Sequence, residues 1–185
     1  MNFNEHYELE GLHAFLSPSQ YHWVNYDLEK LEDRFYNHRA KELGTELHEY
    51  AATAIRLGRK QPKTKDTVSM FVNDALGYSM RPEQALYYSP NCFGHADALG
   101  FTKGKILRIH DLKTGKTPAS MMQLKVYAAI FCLEYGFDPH DLEIHLRIYQ
   151  LNEKIEEDPD PDEIQDIMVI IVTFDNHLNK LKEAM

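Results

Sequence analysis

The sequence predicts an α/β fold, with a central mixed β-sheet of about four to five strands flanked by helices. Three features predict it. Apolar residues recur at helical spacing through the first third, then switch to the two-residue period of strands, and a long helical stretch separates those strands from another alternating run. Two or three antiparallel strands, a helix and a further strand form an α/β pattern with one crossover. At 185 residues the chain has room for a single domain over 1–185, at most with an appendage.

In chain order, Ser17-Pro18-Ser19-Gln20 reads as a capping box opening a short helix through about Val24. Asp27 to Arg39 is helical by the spacing of Leu28, Leu31 and Phe35. A break near Gly44 is expected before a second helix, Thr45 to Leu57, which Gly58 stops. Lys60 to Thr64 is a polar linker around Pro62, and a helix follows from Thr67 to about Leu76. Gln84 to Tyr88, Cys92 to Phe101 and Ile106 to Asp111 are the first three strands. Ala119 to Tyr135 is a long helix ended by Gly136, and Leu142 to Ile148 is a fourth strand. Glu153 to Asp166 reads as an exposed acidic loop, and the β-branched run Ile167 to Phe174 as a buried fifth strand before a short closing helix.

Composition narrows the function classes. The only cysteines, Cys92 and Cys132, exclude a disulfide-dense scaffold and a four-thiolate zinc or iron–sulfur site. The opening MNFNEHYELEGLH shows no secretory pattern. The longest apolar stretch, Ile167 to Val172, is far short of the roughly 20 residues that span a bilayer, so a cytoplasmic location without membrane contact is expected. The net charge of -9 disfavours nucleic acid at face value. Much of it sits in 153–166, where eight acids face Lys154 alone, and the remainder is close to neutral with basic stretches at 56–65 and 103–116. The total charge leaves a DNA partner open.

The chemistry-bearing residues lie at the third strand. Asp111 and Lys113 are two apart on a strand and share a face. Asp97 is on the strand before. With residues 102–105 as the whole turn, Asp97 pairs with His110 and faces away from Asp111; a three-residue turn at 103–105 sets it opposite Asp111. Only the second register lets the two carboxylates share a hard cation such as Mg²⁺ or Mn²⁺, with the Leu112 carbonyl as a further candidate ligand. Such an ion polarises a phosphoryl oxygen and acidifies a bound water, and Lys113 is placed to stabilise the growing charge. Gln123 and Tyr127 are four apart on the next helix and aim at one region, Gln123 suited to orient Lys113 and Tyr127 to contact a phosphate. Lys116 is a candidate substrate contact, and Glu83, at the start of the first strand, a further acidic contributor. His95 reads as a groove neighbour of Asp97, His110 as packing away from the site, and Trp23 with its nearby tyrosines as core.

The segments GHADALGF, ILRIHDLKTGK and QLKVY together resemble the PD-(D/E)xK nuclease superfamily, within it the RecB-like and phage-type exonuclease branch, over roughly residues 15–150. The resemblance matches Gly94 and Asp97 to that family's Gly-x-x-Asp strand, and Asp111, Lys113, Thr114 and Gly115 to its Asp-x-Lys-Thr-Gly. Gln123 and Tyr127 match its Gln-x-x-x-Tyr helix, and LSPSQYHWV is similar to its opening helix. It implies a restriction-endonuclease-like core, the shifted hairpin register, His48 as the remaining metal ligand and a Mg²⁺- or Mn²⁺-dependent DNA exonuclease. Recombination or DNA processing, a recombination partner protein, a homo-oligomer and a bacterial or phage-infected host are implied with it. The cluster-forming cysteines of some members are missing here, no helicase domain fits the length, and nothing after Gln150 matches. The competing class is a DNA-end-binding or protein-interaction domain on the same fold without turnover, which would be expected to have lost Asp97, Asp111 or Lys113.

Overall fold

The computed structural model describes residues 5–184. Residues 1–4 of the opening segment and residue 185 lie outside the described residues. The chain divides into two compact units, residues 1–43 and 44–185.

In the first unit, 3-10 turns cover Tyr7–Leu9 and Pro18–Asn25. The capping box expected at Ser17 does not form. Its hydroxyl pairs with that of Ser19 instead, and Gln20 leaves helical geometry at φ -109° and ψ 37°, so the segment stays 3-10. Tyr21 is exposed, and Trp23 and Tyr26 are only half-buried, which corrects their expected place in a core. Phe15 packs edge-on against Phe35 at 5.7 Å.

Helix α1 runs from Leu28 to Arg56. The expected break at Gly44 is not there. One glycine costs a helix only about 1 kcal/mol, and this one is buried where a Cβ would stand 2.8 Å from the Thr114 hydroxyl. Gly44 therefore marks a close approach and not an end.

The second unit holds the sheet, ordered β1-β2-β3-β4-β5. Its strands are β1 (Arg81–Ser89), β2 (Cys92–Thr102), β3 (Ile106–Lys113), β4 (Glu143–Gln150) and β5 (Glu153–Glu157). Neighbours are antiparallel except β3 and β4, which are parallel and joined through helix α3 (Met122–Tyr135). Gly136, at φ 69°, ends α3 as expected. Helix α2 (Thr67–Gly77) starts where the Asp66 carboxylate accepts the Ser69 amide. One core joins Leu107, Ile109, Ile144, Leu146 and Ile148 to Leu124, Ala128 and Phe131 of α3. Another joins Leu112 and Tyr149 to Ala51, Ala54 and Ile55 of α1 and Phe71, Val72 and Ala75 of α2. Each buried aliphatic contributes about 1.5–3 kcal/mol before the cost of ordering the chain.

Two expectations at the C-terminal end fail together. Ile167 to Phe174 is not a strand, and the closing helix is not short. Both belong to helix α4 (Pro161–Glu183). Asp160 caps it through the Asp162 amide, Pro161 takes its first turn and Asp162 and Glu163 follow, a complete helix start. Ile164, Ile167, Met168 and Ile171 then recur every three or four residues against the core. That spacing overrides the β-branched composition. The acidic run is no loop either: it is edge strand β5 followed by that helix start. Among the described residues, no helix is long and apolar enough to cross a membrane.

Candidate metal centre

The β2–β3 hairpin settles which carboxylates meet. Thr102 pairs with Ile106 and Ala98 with His110, so residues 103–105 are the turn, and the same offset carried one step beyond the last pair of the ladder sets Asp97 level with Asp111. Lys105 makes this possible by adopting φ 59°, with its amide donating to the Thr102 carbonyl at 2.9 Å. The Leu112 amide donates to Asp97 Oδ2 at 2.8 Å, which brings the Asp97 carboxylate beside Asp111.

Three further side chains join them. Glu83 stands on β1 between the pairs Pro82–Ala98 and Gln84–Ala96, level with Asp97. Its φ of 50° is a left-handed conformation inside a strand, a strain of about 1–3 kcal/mol of the kind that collects at functional positions. His48 arrives from α1, one turn after Gly44, with Nδ1 3.5 Å from Asp97 Oδ2. His48, Glu83 and Asp97 each offer a ligand atom, and these atoms lie within 4.8 Å of one another. Lys113 Nζ sits 3.1 Å from Asp111 Oδ1 and donates to Gln123 Oε1 at 2.9 Å.

The electrostatics are poised. Asp111 is only 3% exposed, and burial, then the neighbouring Asp97, push its carboxyl above the usual range against the pull of Lys113. Its Oδ2 is buried and accepts no hydrogen bond, although Lys113 Nζ is 3.0 Å away. The hydrogen bond to Asp97 raises His48 above its ordinary value, and burial only partly opposes this. Asp97 Oδ2 is held by the Leu112 amide at 2.8 Å. A buried carboxylate beside a convergent imidazole and two more carboxylates, with Lys113 the ammonium paired to it, fits a hard divalent cation, which prefers oxygen donors and cancels like-charge repulsion. His48, Glu83 and Asp97 would hold it, with Asp111 the further carboxylate beside Asp97; of Leu112 it is the amide, not the expected carbonyl, that meets Asp97.

The remaining sequence candidates fall into place around this group. Gln123 steadies Lys113, as its helical position implied. The Tyr127 hydroxyl donates to the His95 carbonyl at 2.7 Å, and its ring fills the space over Gly94, where a Cβ would stand 2.9 Å from Cε1. Tyr127 thus ties α3 to β2. Lys116 and His95 are exposed. His110 is fully buried against Tyr149 and Tyr78, and burial drives its pKa down to about 3. Cys132 is buried and its thiol pushed up to about 12, the behaviour of a small hydrophobe.

Sequence reasoning missed Gln150. Buried at the end of β4, it donates to the Gly115 and Thr117 carbonyls at 2.7 Å each and accepts the Ala119 amide at 3.1 Å. It fixes the segment that leaves Lys113 and carries Lys116. The signal was faint: a lone amide at the end of an otherwise apolar, alternating strand.

Comparison with protein-family models, curated proteins and solved structures finds no match to this chain.

Proposed function

We propose that this chain is a divalent-metal-dependent deoxyribonuclease of the PD-(D/E)xK type, hydrolysing DNA phosphodiesters as an exonuclease in recombination or DNA processing, in the cytoplasm of a bacterium or phage-infected host. The observation that carries this reading is the convergence of His48, Glu83 and Asp97, whose ligand atoms lie within 4.8 Å of one another, beside the buried Asp111 carboxylate. Lys113 pairs with Asp111, yet burial and Asp97 still hold the Asp111 carboxyl above its usual range, so one ammonium does not offset the cost of the clustered carboxylates and a further cation would.

Mg²⁺ or Mn²⁺, when bound, would supply Lewis-acid polarisation of the phosphoryl group and a more acidic water. The protein's own part is positioning and charge. Asp97 is held by the Leu112 amide and does not swing away. Lys113, anchored by Asp111 and Gln123, presents a fixed ammonium to the negative charge that grows on the phosphoryl oxygens. Lys116, on the segment that Gln150 pins, adds a backbone-phosphate contact. The acidic β5 and the start of α4 would repel a strand, which confines DNA to other surfaces.

The test is digestion of linear and covalently closed DNA with Mg²⁺, Mn²⁺ or EDTA. Cleavage of linear DNA that requires the metal, and that Asp111→Ala and Lys113→Ala abolish while binding persists, is expected. Unchanged cleavage in those variants overturns the reading. DNA binding with no cleavage under any metal would favour the DNA-end-binding domain.

A further inference from the structure

The first unit contains a cleft of ≈ 480 Å³, a size suited to a small organic ligand. Its chemistry is one-sided. Arg34, His38 and Lys41 line it from α1, with His13 and His22 from the preceding segment, and no Asp or Glu lines it at all. In a chain of net charge -9 that is a local inversion of sign. Helical spacing explains it. Leu31, Arg34, His38 and Lys41 share one side of α1, while Glu29, Glu32 and Asp33 project from other sides. Glu42, next to Lys41 in sequence, is engaged by Arg39 at 2.8 Å, with His38 Nδ1 farther from the same oxygen at 3.6 Å.

The other lining groups are aromatic: Phe15, Trp23 and Tyr26. They are set before any ligand arrives. The Trp23 indole N–H donates to the Ser17 carbonyl at 2.9 Å, which fixes its ring plane, and Phe15 stands edge-on to His38 at 5.3 Å. Arg34 forms no ion pair among the described residues, and its guanidinium lies 5.9 Å from the Tyr26 ring centroid. Cations and π-faces without carboxylates are what a ligand combining an anion with a flat ring requires.

We propose that this cleft binds a nucleoside phosphate, with the phosphate against Arg34, Lys41 and His38 and the base against Trp23 and Tyr26. The shared chemistry is a base joined to a phosphate, whether as a free nucleotide or as one unit of a single strand. The cleft is a binding site separate from the metal centre and does not depend on the nuclease reading.

Trp23 is the chain's single tryptophan, so intrinsic fluorescence reports on the cleft directly. The full chain, in EDTA so that no cleavage occurs, is titrated with dTMP, with an oligothymidylate and with inorganic phosphate. Saturable quenching by dTMP or by the oligonucleotide is expected, weakened at least tenfold in Arg34→Ala and largely restored in Arg34→Lys. Quenching by dTMP alone identifies a free nucleotide, and quenching by the oligonucleotide identifies a strand. No quenching by either, or equal affinity in Arg34→Ala with circular dichroism unchanged, overturns the proposal. An equal response to inorganic phosphate overturns it too, because the ring would then contribute nothing. Asp111→Ala keeps the quenching whatever becomes of cleavage, so this cleft and the nuclease reading fail separately.

Discussion

Two of the histidine–carboxylate clusters in the sheet unit are built to opposite rules. On β4, His145 has a carboxylate 2.7 Å from each ring nitrogen, Glu143 at Nε2 and Asp158 at Nδ1, and both acids are well exposed. Both ring nitrogens there are paired. At the hairpin, His48 reaches Asp97 only at 3.5 Å, Glu83 holds a left-handed backbone inside a strand, and the buried Asp111 Oδ2 has no hydrogen bond. Residue types alone would rank the two alike. Saturation separates them: a satisfied surface cluster contributes little, whereas an unsatisfied buried one persists only if something else completes it.

The largest effect should therefore fall on catalysis at one cluster only. Asp97→Ala or Asp111→Ala should lower metal-dependent DNA cleavage by roughly three orders of magnitude, while His145→Ala leaves it within about twofold; single-turnover digestion of linear DNA measures both. Equal losses at the two clusters would erase the distinction. Next in size is Gln123→Ala, which frees Lys113 without touching a ligand and should cost about 10- to 100-fold in the same assay.

Stability should move the other way. Asp111→Asn removes a buried charge that burial and the neighbouring Asp97 oppose more than the ion pair to Lys113 offsets, so the metal-free variant should be more stable than the parent at neutral pH by roughly 1 kcal/mol, read from denaturant unfolding. The sign follows from its raised folded-state pKa. An acid harder to ionise when folded costs stability that builds up between the ordinary carboxylate value of about 3.9 and its raised folded-state value. The gain is therefore full above that raised value, fades as pH falls through it and is gone below about 3.9. A smaller change is expected of Tyr127→Phe, about 1 kcal/mol for the hydrogen bond to His95. Asp158→Ala, on the saturated cluster, should shift the melting temperature too little to resolve.

Legibility in the sequence followed the same division. Alternation in Ile106–Asp111 and Leu142–Ile148 and the Gly136 stop gave the sheet and α3 because each is a local pattern. The register of the β2–β3 hairpin was open because Thr102-Lys103-Gly104-Lys105 supports two turns, and it is Lys105, not Gly104, that takes the left-handed residue. Strand β5 was hidden for a related reason. Leu151 and Asn152 form its two-residue turn at φ 51° and 62°, and leucine is no turn signal, while the strand's own charges suit an edge and disguise it as a loop. In α4 a β-branched run hid a helix whose start, Asp160-Pro161-Asp162-Glu163, was already written in the chain. Asp97, Asp111 and Lys113 could be named from spacing. Glu83 was the weakest of the candidate ligands because its carboxylate converges through a backbone conformation that glutamate rarely adopts. Gln150 acts entirely across the fold, on carbonyls more than 30 residues away, and left almost no local trace.

Calorimetric titration of Mn²⁺ into the metal-free chain, repeated on Asp97→Asn, Asp111→Asn and Asp158→Asn, addresses the central claim most directly. Saturable binding that the first two substitutions abolish and the third leaves intact is the predicted result. Binding that survives in Asp97→Asn and Asp111→Asn, or no binding to the parent chain, would contradict it.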